Sequence, residues 1–88
     1  MAMKDRIEDK LRLGLGPDAL SVIDESHLHA GHSGARPSGQ THFRVAVRAA
    51  AFAGMSRVQR HRMVYALLAG EIADGVHALA LQTQAPGE

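Results

Sequence analysis

The sequence predicts a small single-domain α+β sandwich in the order α-β-β-α-β, with a three-stranded sheet carrying helices on one face. Three patterns lead there. Met3, Ile7, Leu11 and Leu15 recur at helical spacing near the start. Apolar and polar residues alternate with the period of a strand around Leu20 and again over residues 43–47. A capped amphipathic helix beginning at Ser56 then runs into an aliphatic stretch at residues 76–81. With 88 residues, the chain has length for one small domain, taken as 1–88.

Residues 2–15 form the first expected helix, whose other faces carry Lys4, Arg6, Glu8, Asp9, Lys10 and Arg12. Glu8 and Arg12 stand in the acid-first order that favours an i, i+4 pair. Gly14, Gly16 and Pro17 stop the helix. Residues 19–24 read as a strand, with Leu20 and Val22 on one face and Ser21 and Ile23 on the other. Residues 25–40 show no periodicity and hold three glycines, a proline and three serines, the composition of a long loop. A loop of this length in a small domain is often functional or mobile. Residues 41–50 form the second strand: Phe43, Val45 and Val47 on an apolar face, His42, Arg44, Ala46 and Arg48 on a polar one. A tight connection at 52–54, with room for one extra turn near Phe52, leads to the main helix.

That helix dominates the chain. Residues 56–79 read as one amphipathic helix running into a short strand, with Val64, Leu67, Leu68 and Ile72 as its buried stripe. Ser56 and Gln59 have the spacing of a capping box. Arg57, Arg60, His61 and Arg62 crowd the first two turns, where positive charge opposes the helix dipole. This end is therefore expected to stay solvated or to meet an anion. Gly70 and Gly75 weaken the helix late, and residues 76–81 are the last strand. Residues 84–88 form a short polar tail.

Composition removes several function classes. There is no cysteine, which excludes disulfides, thiolate chemistry and cysteine-ligated zinc or iron–sulfur sites made by this chain alone. Aromatic residues are 3% of the chain, too few for a base-stacking platform. The net charge of +1 neither favours nor excludes nucleic acid. No apolar run nears the roughly 20 residues that span a bilayer, and no signal peptide is evident at the start. A cytoplasmic protein with no membrane role is expected.

Histidine is the chemistry this sequence offers, with six residues. His27, His29 and His32 lie in the long loop as H-x-H-x-x-H, and neutral imidazole is a good ligand for zinc, copper or iron. Histidines in an exposed Gly/Ser loop can equally be solvated and idle. A catalytic zinc site would use three of them plus water, but no H-E-x-x-H helix or nearby base accompanies them. His77 sits where the last helix meets the last strand. It is either a packed histidine satisfied by a backbone carbonyl or a ligand presented at the sheet edge. His42 lies on the polar strand face. His61 shares a helical face with Val64 and Leu68 and is expected to be partly buried. Arg57, Arg60 and Arg62, with Arg44 and Arg48, could contact phosphate or pair with Asp24, Glu25 or Glu71. Residues 31–34 have the G-x-x-G form of a nucleic-acid clamp, but they lie between strands.

Asp24-Glu25-Ser26, Thr41-His42-Phe43-Arg44-Val45, Phe52-x-Gly54, Arg60-His61-Arg62-Met63-Val64-Tyr65 and Val76-His77-Ala78-Leu79-Ala80 resemble the BolA family over nearly the whole chain. The resemblance implies a fold similar to class II KH domains. It also implies a non-enzymatic partner of monothiol glutaredoxins, monomeric or weakly dimeric when alone. In such complexes a [2Fe–2S] cluster is held by glutaredoxin cysteine, a glutathione thiol and BolA histidine, and the BolA-like chain holds none stably by itself. The C-terminal ligand of the family falls on His77. The second falls by position on His29, with His27 or His32 as substitutes, and a mobile loop would let it swing in on assembly. On this reading cysteine is absent because the partner supplies sulfur. The family is also linked to transcriptional control, which implies a second role at DNA through Arg57, Arg60 and Arg62. Members often continue into another helical turn with an aromatic residue, whereas this sequence stops at Glu88, which is expected to alter the partner surface or any DNA contact of a tail.

Overall fold

The computed structural model describes residues 2–26 and 41–88. Helix α1 spans Met3–Leu15, and its four periodic residues Met3, Ile7, Leu11 and Leu15 are all buried. Glu8 pairs with Arg12 at 3.4 Å, one turn on. The helix ends at Gly16, whose φ of 53° is left-handed and whose N–H donates to the Arg12 carbonyl. Gly14 stays inside the helix instead of ending it. A Cβ there would lie 2.6 Å from Leu67 Cδ2, so this glycine lets α1 approach α2 closely.

Strand β1 (Ala19–Asp24) pairs antiparallel with β2 (His42–Arg48), from Ala19 opposite Arg48 to Asp24 opposite Phe43. Strand β3 (Ala78–Gln84) pairs parallel with β2, from His42 opposite Ala78 to Arg48 opposite Gln84. Strand order is therefore β1-β2-β3. A parallel pair needs a crossover, and a 3₁₀ turn at Ala50–Phe52 followed by helices α2 (Arg57–Leu67) and α3 (Ala69–Ala73) supplies it.

The expected single helix is thus two. Leu68 leaves helical geometry at φ −100°, ψ 15° while its side chain is fully buried. The i→i−4 bonds run on through it, Leu68 N–H to the Val64 carbonyl at 3.0 Å and Ile72 N–H to the Leu68 carbonyl at 2.9 Å, so the interruption is a dihedral departure at one residue, and Gly70 two residues on adds little propensity to oppose it. The strand boundaries also move. β2 is shorter than the strand expected at 41–50, and β3, expected at 76–81, starts one residue after His77 and runs to Gln84.

Phe43, Val45, Val47, Phe52, Val64 and Leu68 form the centre of the core with α1. Phe43 and Phe52 are its largest side chains, so an almost wholly aliphatic interior is built around two rings. The opposite sheet face is polar, where Arg44 meets Glu25 at 3.1 Å and Arg48 meets Asp18 at 3.0 Å. Arg6 of α1 donates to buried Glu71 at 3.0 Å and to exposed Asp74 at 2.7 Å, fastening the first helix to α3 and the turn after it. Those bonds raise the Arg6 pKa further above its ordinary value, that to Asp74 most. Among the described residues, no helix is long and apolar enough to cross a membrane.

Candidate functional site

The backbone entering β3 is fixed from two directions. Val76 is buried at 6% exposure, and its N–H donates to the Glu71 carbonyl at 3.2 Å. One residue later the His77 N–H donates to the Thr41 carbonyl at 2.8 Å, and the Ala78 N–H reaches the same oxygen at 3.2 Å. The His77 side chain projects into solvent. Of the two roles open to it, packed histidine or presented side chain, this geometry is the second.

His42 lies beside it at the start of β2. The two rings stack with centroids 6.2 Å apart and planes 27° from parallel. His42 is itself held: its Nδ1 lies 2.8 Å from Thr41 Oγ1. Thr41 is fully buried. Its N–H donates to Ser26 Oγ at 2.8 Å, and the His42 N–H donates to the same hydroxyl at 3.2 Å. Ser26 is turned toward them by its own N–H, which donates to Asp24 Oδ1 at 2.9 Å. In the sequence Ser26 and Thr41 stand only within the family segments, with no role of their own. The Asp-x-Ser spacing of an Asx turn was the available signal.

His27, His29 and His32 lie outside the described residues, as does the G-x-x-G at 31–34. Among the described residues no three His, Cys, Asp or Glu side chains are grouped to hold a metal. Among the described residues His77 and His42 are joined by no third metal donor, so a metal at this edge needs ligands from beyond them. The chemistry of the pair suits iron, zinc or copper, all of which accept imidazole nitrogen.

The basic start of α2 divides. Arg57 and Arg62 are exposed, with no ion pair among the described residues. Arg60 is buried at 8% exposure and bound inside the chain. Its Nε donates to the Met55 carbonyl at 3.0 Å, its Nη1 to Glu88 Oε1 at 2.6 Å and its Nη2 to Glu88 Oε2 at 2.5 Å. Its carbon centre stands 5.9 Å from the Phe52 ring centroid. The Arg60 guanidinium, with help from the Ala85 N–H, pulls Glu88 from the ordinary 4.5 to about 2. The anion expected at this helix end is thus a carboxylate of the same chain. A groove of about 410 Å³ borders it, lined by Met55, Arg57, Arg60, His61, Gln82 and Gln84. His61 is half-buried, and its Nε2 has no hydrogen-bond partner among the described residues.

Residues 11–88 match the family described as BolA, BolA-like protein. The chain belongs to the BolA family. It is 48% identical over 89 residues to an uncharacterized protein in the cobS 5′ region of a Sinorhizobium species, covering 100% of this chain and 96% of that one. It is 42% identical over 83 residues to the DNA-binding transcriptional regulator BolA of Escherichia coli K12, covering 94% and 75%. The solved BolA domain of SufE1 from Arabidopsis thaliana superposes with a TM-score of 0.88 at 41% identity, over 98% of this chain and 94% of that domain. Several other relatives are longer, and the chain spans 24% to 58% of their length. The α+β fold with its three-stranded mixed sheet is that of the solved BolA structures.

Proposed function

We propose that this BolA-like chain is a binding partner, not an enzyme, that joins a monothiol glutaredoxin and contributes histidine to a shared [2Fe–2S] cluster. His77 is one ligand. His29 is the second, with His27 or His32 as substitutes, and glutaredoxin cysteine and a glutathione thiol supply the sulfur side. The observation that carries this reading is the exposed ring of His77 on a backbone held by the Thr41 carbonyl. A solvent-facing imidazole on a rigid strand start is a ligand that a second protein can reach. The described residues fit this role in their donor chemistry, which lacks cysteine thiolate and offers imidazole nitrogen. When bound, such a cluster carries an electron, and imidazole in place of thiolate raises its reduction potential. The role served is iron–sulfur trafficking or iron- and redox-linked regulation. The test is reconstitution of the mixed cluster from purified chain, glutaredoxin, glutathione, iron and sulfide, read by visible absorption and circular dichroism. A spectrum identical to that of glutaredoxin alone overturns the proposal.

A second reading has one observation in its favour. The E. coli relative is named a DNA-binding transcriptional regulator, and Arg57 and Arg62 project freely from the start of α2. Arg60 is already engaged by Glu88, so DNA contact here would rest on two arginines and be weak and salt-sensitive. Fluorescence anisotropy with duplex DNA at two salt concentrations tests it.

A further inference from the structure

We infer that His42 is a positioning residue for His77: it holds the exposed imidazole in one orientation before any partner arrives. The inference rests on the reading of His77 as a ligand and adds what keeps that ligand ready. An exposed side chain on a strand start would ordinarily exchange among rotamers. His77 has a neighbour that opposes this. The His42 ring lies 6.2 Å away and is inclined by only 27°, within the range where aromatic rings interact.

A stacking partner orients its neighbour only if it is itself held, and His42 is. The Nδ1–Oγ1 bond to fully buried Thr41 fixes its ring plane, whichever of the two atoms carries the proton. Ser26 Oγ accepts the backbone N–H groups of both Thr41 and His42. The carbonyl of the same Thr41 accepts the His77 N–H. Thr41 therefore fixes the backbone of His77 directly and its ring through His42. The parallel register of β2 and β3, with His42 opposite Ala78, brings the two histidines to one end of the sheet. Outer groups that orient a metal-binding histidine in this way reduce the ordering needed when the metal arrives.

The experiment uses the full chain without cluster. The χ1 populations of His77 are measured by NMR three-bond couplings in wild type, His42→Ala and His42→Phe. Wild type is expected to show one dominant rotamer. His42→Ala should shift the rotamer ratio by roughly two- to tenfold toward averaging, the scale of one aromatic contact. His42→Phe, which keeps a flat ring, should restore the wild-type distribution. Averaged couplings in wild type overturn the inference without any variant. So do couplings unchanged in His42→Ala. The same variants are then loaded with glutaredoxin and cluster, where His42→Ala should alter the visible circular dichroism. Loss of ligation by His77 would show only in this second measurement, so the inference and the reading beneath it fail separately.

Discussion

Arg60, near the start of α2, holds the carboxylate of Glu88 through two charge-assisted bonds that fasten the segment after β3 onto the main helix. The Ala85 N–H donates to the same carboxylate at 2.9 Å. Three donors on one acid explain why its pKa falls to about 2. The consequence for stability has a definite sign. A carboxylate depressed on folding stabilises the fold above its unfolded pKa, and that stabilisation disappears as pH falls through the folded value. Wild type should exceed Glu88→Gln in thermal midpoint above pH 5. The two should converge as pH drops from about 4.5 toward 2, which a series of calorimetric melts measures.

The capping box anticipated at Ser56 is present in both directions. Gln59 N–H donates to Ser56 Oγ at 3.2 Å, and the Ser56 N–H donates to Gln59 Oε1 at 2.8 Å. Ser56→Ala is expected to cost about 1 kcal/mol. Urea unfolding should show a lower midpoint with an unchanged slope.

Glu71 is 1% exposed, and only its Oε2 meets Arg6, while its Oε1 has no hydrogen-bond partner among the described residues. Removing the arginine would strand a buried carboxylate, a worse state than having neither charge. Arg6→Met should therefore destabilise the chain more than the double variant Arg6→Met/Glu71→Leu does. A double-mutant cycle in denaturant measures the coupling.

Local pattern made most of this fold legible. The periodicity of α1, the faces of β1 and β2 and the cap of α2 are set by neighbours in sequence, and they stand where the spacing put them. Most of what eluded it was decided by tertiary contact. Leu68 is buried as its helical spacing indicates, but the departure of its backbone from the helix is not written in the apolar pattern. Gly14 reads as a terminator until Leu67 is seen beside it. Arg60 looks like its exposed neighbours Arg57 and Arg62, and only Glu88, distant in sequence, makes it different. At the site, the prominence of His77 was legible. The local bonds of Ser26 to Asp24 and of His42 to Thr41 could be read from spacing, but the bonds that join Ser26 to Thr41 and Thr41 to His77 could not, because they link positions far apart in the chain.

Arg57 and Arg62 on one side, and Arg60 on the other, should respond differently to mutation. If the chain binds DNA, Arg57→Ala and Arg62→Ala should weaken binding with no change in thermal midpoint. Each lost phosphate contact should flatten the log affinity–log salt slope by about 0.9. Arg60→Ala should lower the midpoint first, because it releases Glu88 and the Met55 carbonyl. Anisotropy and melts on the same samples separate the two effects.

The most direct measurement is the visible circular dichroism of the cluster formed with a monothiol glutaredoxin and glutathione, compared between wild type and His77→Ala. His77 is exposed, so its replacement should leave the melting temperature of the chain near that of wild type. The account predicts that the mixed-cluster spectrum is lost or replaced by that of glutaredoxin alone. A His77→Ala spectrum superimposable on wild type would contradict it.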